Sequence, residues 1–269
     1  MADSLRSDGA RLHQETVTIR GRPVSFQVAG HGDPLVLVHG LAGSGRWWRR
    51  NLPALSAHFR VYVIDLPRFG SMRRDPTPFS IAGAAYWLHG WFTAAGVDRA
   101  DFVGHSMGGA ICIRMAATWP KVVRRLVLVA PAGIGRGRPL AAHSLSLLVA
   151  AQRSTPSFLP MLLHDATSAG PSTVLRAARE LLAQDMQPEL SSIRAPTLVV
   201  LGERDPLIPE AIGHIVEAAI PSARTVVIPG AGHVVMYDRP REFDAALLDF
   251  LARDRGSRAA ATPSGNTSV

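Results

Sequence analysis

Cysteine is almost absent from this chain. Cys112 is the only one in 269 residues, so no intrachain disulfide can form and the fold needs no oxidising compartment. Its neighbours Ile111, Ile113 and Met115 mark it as a small apolar core residue. Lysine is nearly as scarce: Lys121 stands alone, and the net charge of +8 is carried by arginines. These arginines fall in scattered pairs, Arg49-Arg50, Arg73-Arg74 and Arg124-Arg125, rather than in one stripe, so no nucleic-acid partner is expected despite a pI of about 11.0. No apolar run is long enough to span a bilayer, and Met1–Asp8 is polar with no apolar signal core. The expectation is a soluble cytoplasmic protein without stable membrane insertion. Histidines paired with a carboxylate at metal-ligand spacing are also missing, so no metal site is expected.

What the chain does have is core-forming material: 47% hydrophobic and 19% charged residues, enough for one sizeable globular domain. Thr16–Arg20 and Val24–Val28 alternate apolar and polar residues around Gly21-Arg22-Pro23, the pattern of a hairpin with one wet face. Leu35–Val38 and Val61–Ile64 are continuous apolar runs, as in strands covered on both faces. A helix is expected from Arg46 to Ala57. A second should start at the cap Ser80 and bury Ile81, Ala84, Leu88, Trp91 and Ala95. Strand Ala100–Val103, helix Ala110–Ala117 and strand Leu126–Ala130 follow. Strand and helix alternate, which implies right-handed crossovers and a mostly parallel sheet whose ligands bind beyond the carboxyl ends of the strands.

The rhythm breaks between Gly133 and Ser191, where no strand pattern occurs. Three helices are expected there, Leu140–Gln152, Ser157–Thr167 and Ser172–Gln184. They could fill the core, but both flanks are strand ends, which favours a lid over that edge. Alternation resumes with strand Thr197–Leu201, helix Pro209–Ala219, strand Thr225–Ile228 and helix Pro240–Ala252. The expected division is a core of residues 14–132 and 192–252, a helical cap of 133–191, and flexible tails at 1–13 and 253–269.

Chemistry concentrates at the strand ends. Gly104-His105-Ser106-Met107-Gly108 is a G-x-S-x-G turn between strand and helix, which would hold the Ser106 hydroxyl at the tip of a strained bend. A serine hydroxyl needs a base, and the base needs a third group to orient it. His233, in Gly230-Ala-Gly-His, and Asp205, in Gly202-Glu-Arg-Asp-Pro, lie in two later strand-end loops. The order Ser106, Asp205, His233 is that of one scaffold known to carry this triad. Glu203 is an alternative acid. Asp238 follows His233 too closely to orient it easily, and Asp65 sits with Pro67 and Gly70 in a turn. His39 and His105 read as turn histidines bonded to backbone; His31, His58, His89, His143, His164 and His214 have no motif around them. The backbone N–H of Met107 and of Leu41 are the candidate oxyanion donors.

With these parts in view, residues 14–252 resemble the α/β-hydrolase fold. The resemblance rests on His39-Gly40-Leu41, Gly104-His105-Ser106-Met107-Gly108-Gly109, Gly202-Glu203-Arg204-Asp205 and Gly230-Ala231-Gly232-His233. It implies an eight-stranded, mostly parallel sheet with helices on both faces, a helical cap after strand six, a Ser106–His233–Asp205 triad and no cofactor. The Gly-His-Ser-Met-Gly-Gly stretch is most similar to esterases and monoglyceride-lipase-like members. Ser106 argues against the dehalogenases and epoxide hydrolases of this fold, which use an aspartate. Carbon–carbon bond hydrolases are nearer, but usually carry Asn where His105 stands, and the insertion here has no tryptophan. One departure is Arg68, at a position where the family usually has glycine. The expected activity is cleavage of an ester with a small or medium apolar acyl group. A C–C bond hydrolase, a cofactor-free haloperoxidase-like enzyme, or a ligand-binding receptor that retains the triad are the alternatives.

Overall fold

A computed structural model describes residues 12–135 and 155–252. The apolar runs form the centre of its sheet. In β3 (Asp33–Val38), Val36 and Val38 face one core while Leu35 and Leu37 face another, because successive side chains of a strand point to opposite faces. β4 (Phe59–Ile64), β5 (Ala100–His105), β6 (Val123–Val129), β7 (Thr197–Gly202) and β8 (Ala223–Ile228) are parallel to it. The hairpin β1 (His13–Ile19) and β2 (Arg22–Ala29) joins through β2, which runs antiparallel to both β1 and β4. The eight strands lie in the order β1-β2-β4-β3-β5-β6-β7-β8. β1 begins at His13, inside the stretch expected to be frayed.

The first core lies under α2 (Ile81–Ala94) and α3 (Met107–Thr118), and the second under Trp48, Phe243 and Leu247. Ser80 caps α2 as expected, its hydroxyl accepting the Gly83 N–H at 3.0 Å. α3 starts three residues earlier than the apolar pattern suggests, directly after Ser106. The helix expected over 46–57 is instead a 3-10 turn, Gly45–Trp48, followed by the short α1, Leu52–Ser56. Pro53 lacks the N–H that a continuous helix would require, and the Asn51 side chain is drawn away to Met236 O and Asp244.

Between β6 and β7 the regular elements among the described residues are helices. α4 (Leu159–Ala169) and α5 (Pro171–Ala183) meet at Gly170, whose φ of 85° lies in the left-handed region. They fall within a few residues of the expected second and third helices; the first, Leu140–Gln152, lies outside the described residues, as does the stretch 253–269. α6 (Gln187–Leu190) and α8 (Val235–Asp238) have no counterpart in the sequence reading, being single turns too short to show periodicity. α7 (Ala211–Ala219) and α9 (Pro240–Ala252) complete the fold. Among the described residues no helix is long and apolar enough to cross a membrane.

Candidate active site

β5 delivers Ser106 in a conformation that few residues tolerate. Its φ of 50° and ψ of −113° lie outside the regions L-residues favour. The surrounding backbone imposes this bend: Ser106 N–H donates to Val129 O at 2.9 Å, and Ser106 O accepts from both Ala110 and Ala132 at 3.2 Å. The flanking glycines are needed for close approach. A Cβ on Gly104 would lie 2.5 Å from Gly108 O, and one on Gly108 would lie 2.5 Å from the carbonyl oxygens of Val38 and His39. β3 therefore packs directly against the turn.

β7 and β8 bring in the other two side chains. His233 Nε2 lies 3.0 Å from Ser106 Oγ, and His233 Nδ1 lies 2.8 Å from Asp205 Oδ2. Nδ1–H donating to the carboxylate leaves Nε2 free to accept the serine proton. The other oxygen, Asp205 Oδ1, accepts the N–H groups of Leu207 at 2.8 Å and Ile208 at 3.2 Å, which fixes the plane of the carboxylate. Burial alone would raise the Asp205 carboxyl. Charge on His233, its hydrogen bond and the two backbone N–H groups outweigh burial and hold the group below the ordinary carboxylate range.

The remaining candidates take supporting positions. Glu203 does not meet the histidine ring; its carboxylate accepts the Gly230 N–H at 2.7 Å and braces the loop. Asp65 accepts the N–H groups of Gly45 and Ser71, both at 2.7 Å. Asp238 accepts the Gly232 N–H at 3.0 Å, one residue before His233. His39 is neutral in its surroundings: one ring nitrogen donates to Gly40 O at 2.8 Å and the other accepts the Leu66 N–H at 3.0 Å, while burial lowers its pKa. His105 donates from Nε2 to His233 O at 3.0 Å; burial first, then the neighbouring His233, push its pKa down to about 3.

Met107 is the first residue of α3, where a backbone N–H has no partner within the helix. Leu41 lies in the turn after β3, which is closed by Gly43 N–H to Gly40 O at 3.2 Å and passes close to the serine, since a Cβ on Gly40 would lie 3.3 Å from Ser106 Cβ. Arg68 adopts a φ of 76°, so the turn keeps the shape glycine would give at a strain of about 1–2 kcal/mol. Its N–H donates to Met72 O at 3.0 Å and its guanidinium to Asp75 O at 2.9 Å. Among the described residues, no group of three His, Cys, Asp or Glu side chains is placed to hold a metal ion. A cleft of about 260 Å³ opens between Phe26, Ser44, Asp65, Arg73 and His164, with Ser106 and His233 outside its walls.

Residues 35–246 match the family described as the alpha/beta hydrolase family. The chain belongs to that family. It is an α/β-hydrolase-fold enzyme, with the eight-stranded sheet the family resemblance implied. A pimeloyl-[acyl-carrier protein] methyl ester esterase of Edwardsiella ictaluri is 32% identical over 249 residues, covering 82% of this chain and 94% of that protein. A 2-hydroxy-6-oxo-6-phenylhexa-2,4-dienoate hydrolase of Burkholderia cepacia is 29% identical, covering 83% and 89%. Among solved structures, a thermophilic esterase from Thermogutta terrifontis superposes with a TM-score of 0.75 at 25% identity, covering 90% and 98%.

Asp165 and Trp47 belong to no motif in the sequence, yet both support the site. Asp165 is only 4% exposed and shares the buried stripe of α4 with Met161 and Ala169. A carboxylate at that spacing among apolar residues was a readable signal, because a buried charge requires partners. Which partners it finds depends on docking between distant segments.

Proposed function

We propose that the protein is a serine hydrolase that cleaves a carboxylic ester through an acyl-enzyme. The observation that carries this reading is the unbroken relay from Ser106 Oγ through His233 to Asp205, with contacts of 3.0 and 2.8 Å. Ser106 Oγ attacks the ester carbonyl as its proton moves to His233 Nε2. Asp205 holds the ring in the tautomer that can accept it and stabilises the imidazolium that forms. The backbone N–H groups of Met107 and Leu41 hold the oxyanion, each such donor being worth about 10²–10³ in rate. The tetrahedral adduct collapses, and the alcohol leaves with the proton from His233. Water then attacks the acyl-enzyme, giving its proton to His233, and the carboxylic acid departs as Ser106 recovers its hydrogen.

The helical segment between β6 and β7 is read as a cap over this edge. Its buried Phe158 and Met161, together with the esterase relatives, support an acyl group of small to medium size and apolar character. The Burkholderia relative supports a second reading, cleavage of a C–C bond beside a ketone, which would use the same serine, base and oxyanion donors. A panel of p-nitrophenyl esters of two to twelve carbons, run beside a ring-fission dienoate, separates the two. The ester reading expects turnover of the shorter esters and none of the dienoate. Turnover of the dienoate alone would replace it.

A further inference from the structure

The helical segment is bound to both halves of the candidate site, at opposite ends of one short stretch. At one end is the Asp165 carboxylate on α4. It accepts a hydrogen bond from Ser44 Oγ at 2.8 Å and one from Trp47 Nε1 at 3.1 Å, and it pairs with the Arg46 guanidinium. All three donors belong to the continuation of the loop that carries Leu41. At the other end, Thr155 donates both its N–H, at 2.9 Å, and its hydroxyl, at 2.7 Å, to Asp238 Oδ1. The second oxygen of Asp238 holds the Gly232 N–H beside His233. Arg50 ties the same end down, donating to Ser157 Oγ at 3.0 Å and to Tyr237 O at 2.9 Å.

Between the two ends, Phe158 is 1% exposed and packs edge-on against Trp47, with ring centroids 4.9 Å apart, and at a tilt against Tyr237, at 5.0 Å. Trp47 in turn contacts the ring of His105, at 5.7 Å, beside the nucleophile. A buried carboxylate that collects one charged and two neutral donors from a single loop restricts that loop far more than apolar packing does, since each donor fixes a direction as well as a distance.

We propose that residues 155–165 form a strut that sets the spacing between the oxyanion loop and the histidine loop, with two positioning residues: Asp165 at one end of the strut and Asp238, which anchors the other end from beside His233. The strut touches no reacting atom. It acts through Leu41 on one side and through His233 on the other, so the inference rests on the serine-hydrolase reading above. Misplacement of a catalytic group by about 1 Å is enough to lower a rate by orders of magnitude while leaving substrate affinity largely intact.

The full chain is compared with Asp165→Asn and Asp238→Asn in three measurements: the rate of covalent labelling by a fluorophosphonate, kcat and KM on a p-nitrophenyl ester, and the melting temperature. Labelling requires the serine, its base and the oxyanion donors, but no particular substrate. Each variant is expected to label about tenfold more slowly or worse, with kcat falling in parallel and KM changing by less than about threefold. Equal labelling rates in the folded variants and the wild type overturn the strut, whatever the melting temperature does. Ser44→Ala, which removes one donor to Asp165 and only a single oxygen, serves if Asp165→Asn does not fold. Labelling about threefold slower supports the strut, and an unchanged rate overturns it. A wild type that is not labelled at all sinks the hydrolase reading and the strut with it, whereas a labelled wild type with equally labelled variants sinks the strut alone.

Discussion

The turn at Ser106 and the helical segment between β6 and β7 are built by different rules. From Ala100 to Ile113 every residue is buried, and the backbone approaches other backbone so closely that side chains are excluded at Gly104 and Gly108. Along residues 158–183 of the segment, burial returns only once per helical turn, at Phe158, Met161, Asp165, Ala169, Thr173, Ala177 and Leu181. Leu159, Leu163, Leu175 and Leu182 face outward. The first region has its geometry dictated by chain sterics. The second has it dictated by which side chains meet after docking, and its outer face is open to change.

The largest effect expected from this contrast is at Ser106, the proposed nucleophile. Ser106→Ala removes one oxygen from a site fixed by backbone, so kcat should fall by about 10⁴-fold or more while the melting temperature stays near that of the wild type. Steady-state kinetics beside a thermal melt check it. Loss of fold together with activity would show that the turn depends on the serine side chain. The opposite pattern is expected at Phe158, the apolar anchor of the segment. Phe158→Ala should lose about 3–5 kcal/mol in denaturant unfolding, provided the segment melts together with the sheet. A small loss with two separate transitions would make the segment an independent unit.

Acid should strike the turn. His105 titrates at about 3 in the folded chain against an ordinary 6.5, so between these values the unfolded chain binds a proton that the folded chain refuses. Stability therefore declines as pH falls through that window, by up to about 1.4 kcal/mol per pH unit for this one group. His105→Gln keeps a donor but does not titrate, and its unfolding free energy should have a shallower slope between pH 6 and pH 4. Equal slopes would place the acid sensitivity elsewhere. The smallest effect belongs to the outer face: Leu175→Ser, at a side chain that is 49% exposed, should shift stability by less than about 0.5 kcal/mol. A loss of more than 1 kcal/mol would show that this face is packed against something in solution.

The same contrast explains what could be read from the sequence. The positions of the central strands along the chain, and the strand-end loops that bring Ser106, Asp205 and His233 together, were legible because unbroken apolar runs and glycine spacing report backbone constraints directly. Arg68 is instructive, since its side chain gives no hint of a left-handed bend, and only the resemblance to a family with glycine there pointed to one. The break of the helix at Asn51 was readable in principle from Pro53, but Trp47 and Trp48 kept the apolar pattern running through it. The roles of Asp165 and Asp238 were not legible, because their partners lie 121 and 83 residues away. Nothing local distinguishes a carboxylate that will be buried by docking from one that stays in water, except its place on an apolar stripe.

In the proposed mechanism Ser106 forms a covalent bond to the acyl group. Brief exposure to a p-nitrophenyl ester, acid quenching and intact-protein mass spectrometry test it directly, with His233→Ala as the control. The predicted result is a single added acyl mass per chain that maps to the peptide containing Ser106 and is absent in the control. Full turnover with no acyl mass at Ser106, or an adduct on another residue, would contradict it.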